Sequence, residues 1–288
     1  MMLSMSKLLM TLLLTSSILG TQVLARSADY SNQVIDFLKK NIGQNPNIIS
    51  LDIKVIEKKE LEKPKGWEAY IVSFDGKAKV GKDEKKISQN SIYFVKDGIL
   101  ATELIDMKTG TKINDSVTPK FKNEFYTKAN LLFGSENAAH KVAIFSDPLC
   151  PFCKSFVPGA LAYMKKYPRD FAVYYYHFPL EGLHPASMTI CKAAIYLENN
   201  GDKDSIFKIY SNVTIDPRET DEQKILDAVS SAVGKKITKE MIHTNAVQNE
   251  FDQSQNIARS LLVNGTPTMY FDGEKDSGKT KYKSVKVH

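Results

Sequence analysis

The sequence predicts two folded units in series, a small α+β unit followed by an α/β domain. The second rests on a strand, a helix and a strand in succession. Val142-Ala143-Ile144-Phe145 reads as a short buried strand, a helix opens at Pro151 and runs towards Tyr167, and Phe171 to Phe178 reads as another strand. Over this length the three make a βαβ unit, and so a parallel pair. The first unit rests on a hairpin: Lys96-Asp97-Gly98 is a turn signal between the strand-like runs Ile92–Val95 and Ile99–Ile105. With 288 residues, 42% hydrophobic and 25% charged, the chain has the apolar material for both cores.

The first residues read as a targeting segment over 1–25. Lys7 gives a positive start, Leu8–Leu14 an apolar core, and Val23-Leu24-Ala25 small residues where a signal peptidase cuts. The apolar run is far short of the roughly 20 residues that span a bilayer. The expectation is therefore cleavage after Ala25 and export to the periplasm as a soluble chain; a retained anchor helix is the competing reading. Lys+Arg number 39 against 33 Asp+Glu, a net charge of +6, but the lysines are interleaved with acids, as in Glu57-Lys58-Lys59-Glu60. Such a surface is solvated, and no nucleic-acid partner is expected.

Residues 26–117 form the α+β unit. Tyr30, Val34, Phe37, Leu38 and Ile42 recur at helical spacing and Gly43 follows as a stop. Leu51–Ile56 alternates apolar and polar, while Tyr70–Phe74 and Ile87–Val95 are aromatic and β-branched. The unit carries no cysteine or histidine, which suits assembly or binding better than catalysis. Residues 118–134 then predict a linker helix: Thr118 caps it, Pro119 takes its first position, Phe121, Phe125, Ala129 and Leu132 form a stripe, and Gly134 ends it. Residues 135–288 are the α/β domain. Within it, about 186–247 reads as a helical insertion: Met188–Leu197, Ser205–Tyr210, Glu222–Val233 and Thr238–His243. A further helix, Asn249–Leu262, leads through Asn264-Gly265-Thr266-Pro267 into the strand Thr268–Phe271. Pro158 predicts a kink in the helix after Pro151.

Only three cysteines are present, Cys150, Cys153 and Cys191. Two of them, close together in an exported chain, call for a chemical explanation. In Asp147-Pro148-Leu149-Cys150-Pro151-Phe152-Cys153 the motif follows a buried strand and opens a helix, so Cys150 falls at the N-cap and Pro151 at the first helical position. There the helix dipole and first-turn amides favour a thiolate. Cys150 is thus the expected nucleophile and Cys153, one turn deeper, the resolving thiol. A zinc site needs four ligands and no second pair exists; haem attachment needs His after the second Cys, where Lys154 stands. No metal and no cofactor are expected. A structural disulfide is the remaining alternative. Thr266-Pro267, late in the same domain, either reads as an ordinary turn or, beside an upstream CxxC, resembles the cis-proline loop of thioredoxin folds, which implies backbone groups brought to Cys150 for substrate binding. In that loop the Thr266 side chain is expected to face the Cys150 sulfur.

Phe145–Cys153 together with Gly265-Thr266-Pro267-Thr268 resembles the Dsb class of periplasmic disulfide oxidoreductases, which have a thioredoxin-like fold with a helical insertion. The small upstream unit, its Phe94–Gly98 turn and the linker resemble the DsbC/DsbG proteins. That resemblance implies a cystatin-like dimerisation domain, a V-shaped homodimer, and disulfide isomerase or reductase activity on misoxidised exported proteins, with a DsbD-like membrane reductase as electron donor. Threonine before the proline is similar to the isomerase branch, while the Pro151-Phe152 dipeptide fits neither branch cleanly. A DsbA-type oxidase, fed by a DsbB-like membrane oxidase, and a holdase-type chaperone are the alternatives. The class's final helix has no clear counterpart after Phe271. Cys191, among Ile190, Ala193 and Ala194, reads as a buried small hydrophobe, with a third redox role as the other possibility. His177 and His184 read as loop residues beside the site, and Tyr174-Tyr175-Tyr176 as sheet residues, with Tyr175 pointing outward.

Overall fold

The computed structural model describes residues 29–80 and 83–288; the predicted targeting segment, 1–25, lies outside the described residues. In the first unit, α1 (Ser31–Ile42) lies on an antiparallel meander of β1 (Ile48–Glu60), β2 (Glu68–Val80), β3 (Asp83–Lys96) and β4 (Ile99–Ala101). Alternation along the strands sorts the side chains. Tyr70, Val72 and Phe74 face α1 with Val34 and Leu38, whereas Ala69, Ile71 and Phe94 face away from it, with Val117. The β3–β4 turn is Asp97-Gly98, both at positive φ (50° and 76°). Two-residue hairpins need that mirror-image turn to match strand twist, which is why Asp-Gly specifies it.

Residues 118–134 are not a helix. After a 3₁₀ turn at Ile113–Ser116, the chain runs extended through Phe121, makes a second 3₁₀ turn at Asn123–Phe125, and becomes the edge strand β5 (Leu131–Phe133). Long-range packing overrides the helical spacing. The Phe121 ring sits 4.5–6.3 Å from those of Phe125, Tyr126, Phe145, Tyr176 and Tyr270, and its N–H donates to the Gly273 carbonyl. Gly134 does not cap a helix. It turns the strand at φ 90°, where a Cβ would stand 1.9 Å from the Phe171 carbonyl oxygen. The segment is therefore no rod between the units, which touch directly: Asn90 Nδ2 donates to the Ser260 carbonyl at 2.6 Å, and Leu262 packs with the Ile71–Phe94 cluster.

The second unit continues with β6 (His140–Ser146), α2 (Pro151–Lys165), β7 (Phe171–His177), α3 (Ala186–Asn199), α4 (Ser205–Asn212), α5 (Glu222–Val233), α6 (Lys239–Ile242), α7 (Asn245–Ser260), β8 (Thr268–Phe271), β9 (Glu274–Lys275) and α8 (Lys281–Ser284). The sheet order is β5-β7-β6-β8-β9; β6 and β7 are parallel, and β8 is antiparallel to β6. Helices cover both faces. Val142, Ile144, Val173, Tyr175 and Met269 meet Val157 and Leu161 of α2; Ala143, Phe145, Tyr174, Tyr176 and Tyr270 meet Ile257 and Leu261 from α7 and its end. Tyr175 consequently points inward and is buried, against the expectation that it faces out. α2 continues past Pro158 to Lys165. The helices α3 to α6 form their own core, into which Leu149 of the cysteine loop inserts. After β9, the single turn α8 places Tyr282 against Phe156 and Tyr163, so the tail closes the α2 face where no final helix was expected. Among the described residues no helix is long and apolar enough to cross a membrane.

Candidate active site

β6 ends at Ser146 and α2 starts at Pro151, so the loop between them carries the motif to the end of the central strand. Cys150 is the N-cap of α2, with extended backbone (φ −64°, ψ 124°) and Pro151 next. Its carbonyl accepts the Lys154 N–H at 2.9 Å, the first turn of the helix. The Cys150 side chain makes no capping bond, which leaves its sulfur beside the positive helix end. Cys150 is 3% exposed and Cys153 0%, whereas Phe152 between them is 74% exposed. Both cysteines are thiols in this structure.

The Thr266–Pro267 bond is cis, and the loop lies against the motif. The Cys150 thiol donates to the Thr266 carbonyl at 3.7 Å. The contact to Cys150 is thus through the backbone and not through the side chain, as expected from sequence. The Thr266 hydroxyl is buried without a hydrogen-bond partner of ordinary geometry among the described residues, and the group whose ionisation it eases is Cys153. Burial pushes the Cys153 thiol from an ordinary 9.0 up to about 11; the hydroxyls of Ser146 and Thr266 and the Asp147 amide offset part of that rise. The pair is therefore asymmetric, one sulfur at a helix end beside the cis-proline loop and one sealed in the core.

Sequence reasoning missed what holds the loop. Asp147 is fully buried and its carboxylate accepts five hydrogen bonds. Oδ1 takes the Leu149 N–H (2.8 Å), the Cys150 N–H (3.2 Å) and the Ser187 hydroxyl (2.6 Å); Oδ2 takes the Leu180 N–H (2.8 Å) and meets His184 Nδ1 at 2.9 Å. Satisfied this fully, the buried carboxylate ties three segments together. The Ser-Asp-Pro run hinted at a turn, but Ser187 and His184 are 37 to 40 residues away. His177, expected in a loop, is instead the buried last residue of β7 and pairs with Glu198 at 3.1 Å. Cys191 is buried with Ile195, Val247 and Phe251, and burial raises its thiol well above the ordinary value. No group of three or more His, Cys, Asp or Glu able to hold a metal occurs among the described residues.

The family model described as "DSBA-like thioredoxin domain" matches residues 141–286. No curated protein matches the chain. Among solved structures the chain is similar to Proteus mirabilis ScsC in a transitional conformation (22% identity, 56% of this chain and 72% of that one, TM-score 0.44). It is also similar to oxidised BdbD from Bacillus subtilis (18%, 58% and 92%, 0.45) and to Pseudomonas aeruginosa DsbA2 (19%, 53% and 89%, 0.38).

Proposed function

We propose, from the premise that this chain belongs to the DSBA-like thioredoxin domain family and is a thiol–disulfide oxidoreductase of the Dsb class, that it is a periplasmic disulfide isomerase or reductase acting on misoxidised exported proteins. The observation that carries this reading is the asymmetry of the pair, with Cys150 at the α2 N-terminus against the Thr266 carbonyl and Cys153 sealed behind it. The Cys150 thiolate attacks a substrate disulfide; a Cys150–substrate bond forms and the other substrate sulfur leaves as a thiolate. A second substrate thiol then displaces Cys150, which completes isomerisation. Alternatively Cys153 attacks Cys150, which frees a reduced substrate and leaves a Cys150–Cys153 disulfide. That disulfide needs an external reductant, and a DsbD-like membrane thiol reductase fills the role. The Thr266–Pro267 loop offers backbone groups to a substrate strand beside Cys150, and exposed Phe152 offers an apolar contact. Residues 26–117 carry no redox group, and we assign them to homodimer formation.

The test is acid trapping of the thiols in cells, followed by alkylation and a gel shift. The proposal expects Cys150 and Cys153 mostly reduced. A pair found mostly oxidised would make the protein a DsbA-type oxidase served by a DsbB-like partner. Cys150→Ser should abolish insulin reduction and refolding of scrambled ribonuclease, and Cys153→Ser should accumulate mixed disulfides. Full chaperone function in a variant lacking both cysteines, with no exchange activity in the native protein, would support the holdase reading instead.

A further inference from the structure

Behind Cys153 lies a file of hydroxyls. Ser146 Oγ and Tyr210 Oη are 2.5 Å apart, and Tyr210 Oη and Tyr175 Oη 2.7 Å. All three residues are buried, Ser146 at the end of β6, Tyr175 on β7 and Tyr210 on α4. Two other buried tyrosines of this sheet end on backbone carbonyls: Tyr176 on Phe125 at 2.5 Å and Tyr270 on Leu261 at 3.3 Å. Tyr175 and Tyr210 instead end on each other and on Ser146; both tyrosines pack in one buried cluster with Cys153, and the Ser146 hydroxyl is among the groups that ease Cys153 ionisation.

Counting protons leaves the file one spare donor. Three hydroxyls joined by two hydrogen bonds use two O–H groups between them and leave one to donate elsewhere. At the Ser146 end the neighbour is the Cys153 sulfur, a far better acceptor as an anion than as a thiol. We propose that Tyr210, held between Ser146 and Tyr175, is a positioning residue for the resolving step, its file turning its O–H dipoles onto the Cys153 sulfur as that sulfur becomes a thiolate. This rests on the exchange chemistry proposed above. In the step, the Cys153 sulfur bonds to Cys150 and the Cys150–substrate bond breaks. The substrate sulfur leaves with the electron pair of the broken bond, and the proton Cys153 gives up ends on that leaving thiolate. The groups acting on Cys153 are the Ser146 and Thr266 hydroxyls and the Asp147 amide, with Cys150 opposing; Tyr175, Tyr210 and Cys191 are the other titratable groups near it. Burial alone would hold Cys153 as a thiol at neutral pH, and the file supplies the local solvation that the core otherwise denies it.

Reaction of the reduced full-length protein with an aromatic disulfide that releases a coloured thiolate separates the steps. The first phase is attack by Cys150, and the second is release of the remaining thiolate as Cys153 attacks the mixed disulfide. Tyr210→Phe should slow the second phase about tenfold and raise its pH midpoint by about one unit, since those two are the same energy, with the first phase unchanged. Tyr175→Phe should act in the same direction, about threefold, and Ser146→Ala at least as strongly as Tyr210→Phe, which covers a Tyr210 variant that fails to fold. Tyr270→Phe, equally buried on the opposite face, should leave both phases alone. A folded Tyr210→Phe or Ser146→Ala protein with an unchanged second phase and pH profile overturns the proposal. Absence of any second phase in the native protein overturns the exchange reading along with it.

Discussion

The carboxylate of Asp147 meets the imidazole of His184 at 2.9 Å beneath the cysteine loop, and the same carboxylate accepts the Cys150 N–H. The residue three before Cys150 thus fixes the start of α2 and ties it to the segment that leads into α3. Two elements far apart in sequence are held in register at the point where the chemistry is placed.

Asp147→Ala should therefore be among the most damaging single changes. It leaves the Leu149, Cys150 and Leu180 N–H groups, the Ser187 hydroxyl and His184 without their shared acceptor. A loss of about 3–5 kcal/mol is expected on urea unfolding, together with altered alkylation of Cys150. Unchanged unfolding and alkylation would mean that the loop is held by packing alone.

Thr266→Val separates the two sulfurs. The Thr266 contact to Cys150 runs through the backbone carbonyl, which valine keeps, while the hydroxyl that valine lacks acts on Cys153. Alkylation of Cys150 against pH should change little, and resolution of a mixed disulfide by Cys153 should slow several-fold. The reverse pattern would put the Thr266 side chain on Cys150, as the sequence suggests.

Much of this could be read from the residues, and the failures share a cause. β6, β8 and α5 are short or strongly patterned, and their sequences mark them locally: apolar runs for β6 and β8, an Asp221 cap and a terminal Gly234 for α5. The cysteine pair announces its position because Pro151 and the preceding strand are adjacent to it. The segment 118–134 misleads because Phe121 and Phe125 have helical spacing, yet their partners Phe145, Tyr176 and Tyr270 are distant in sequence. Tyr175 misleads for the same reason, since α2 and α4 cover a face that alternation alone would leave to water. The Asp147 network and the Tyr210 file join residues 33 to 64 positions apart. No local pattern encodes them.

The reduced protein should lose stability in alkali where the oxidised protein does not. Cys153 is held as a thiol in the fold up to about pH 11 against an ordinary 9.0, so the folded state retains a proton that the unfolded chain releases. A raised value gives stability that is complete below about pH 9 and lost as pH rises towards 11. The loss is up to about 3 kcal/mol. In the disulfide form Cys153 has no proton to lose. The urea midpoint of the reduced form should fall relative to that of the oxidised form as pH rises through this range; parallel curves would mean that Cys153 is far better solvated than its burial implies.

Where a truncated chain begins should decide whether the catalytic unit survives. Starting near Ser135, as the linker-helix reading suggests, removes Phe121 from its aromatic cage and deletes β5, whose Leu131 and Phe133 pair with Tyr174 and Val173. Loss of a buried phenylalanine alone costs about 3–5 kcal/mol, a large part of an ordinary domain's stability. Starting at Thr118 keeps both features and severs the contacts of Asn90 and Lys59 with Ser260 and Thr118 and the packing of Leu262 against the Ile71–Phe94 cluster. The Thr118 chain should unfold cooperatively, alkylate at Cys150 like the full protein, and be monomeric by light scattering while the full-length chain is a dimer. The Ser135 chain should melt far lower or fail to fold. Equal stability of the two would show that Phe121 and β5 are dispensable, and a dimeric Thr118 chain would move the self-association surface out of the N-terminal unit.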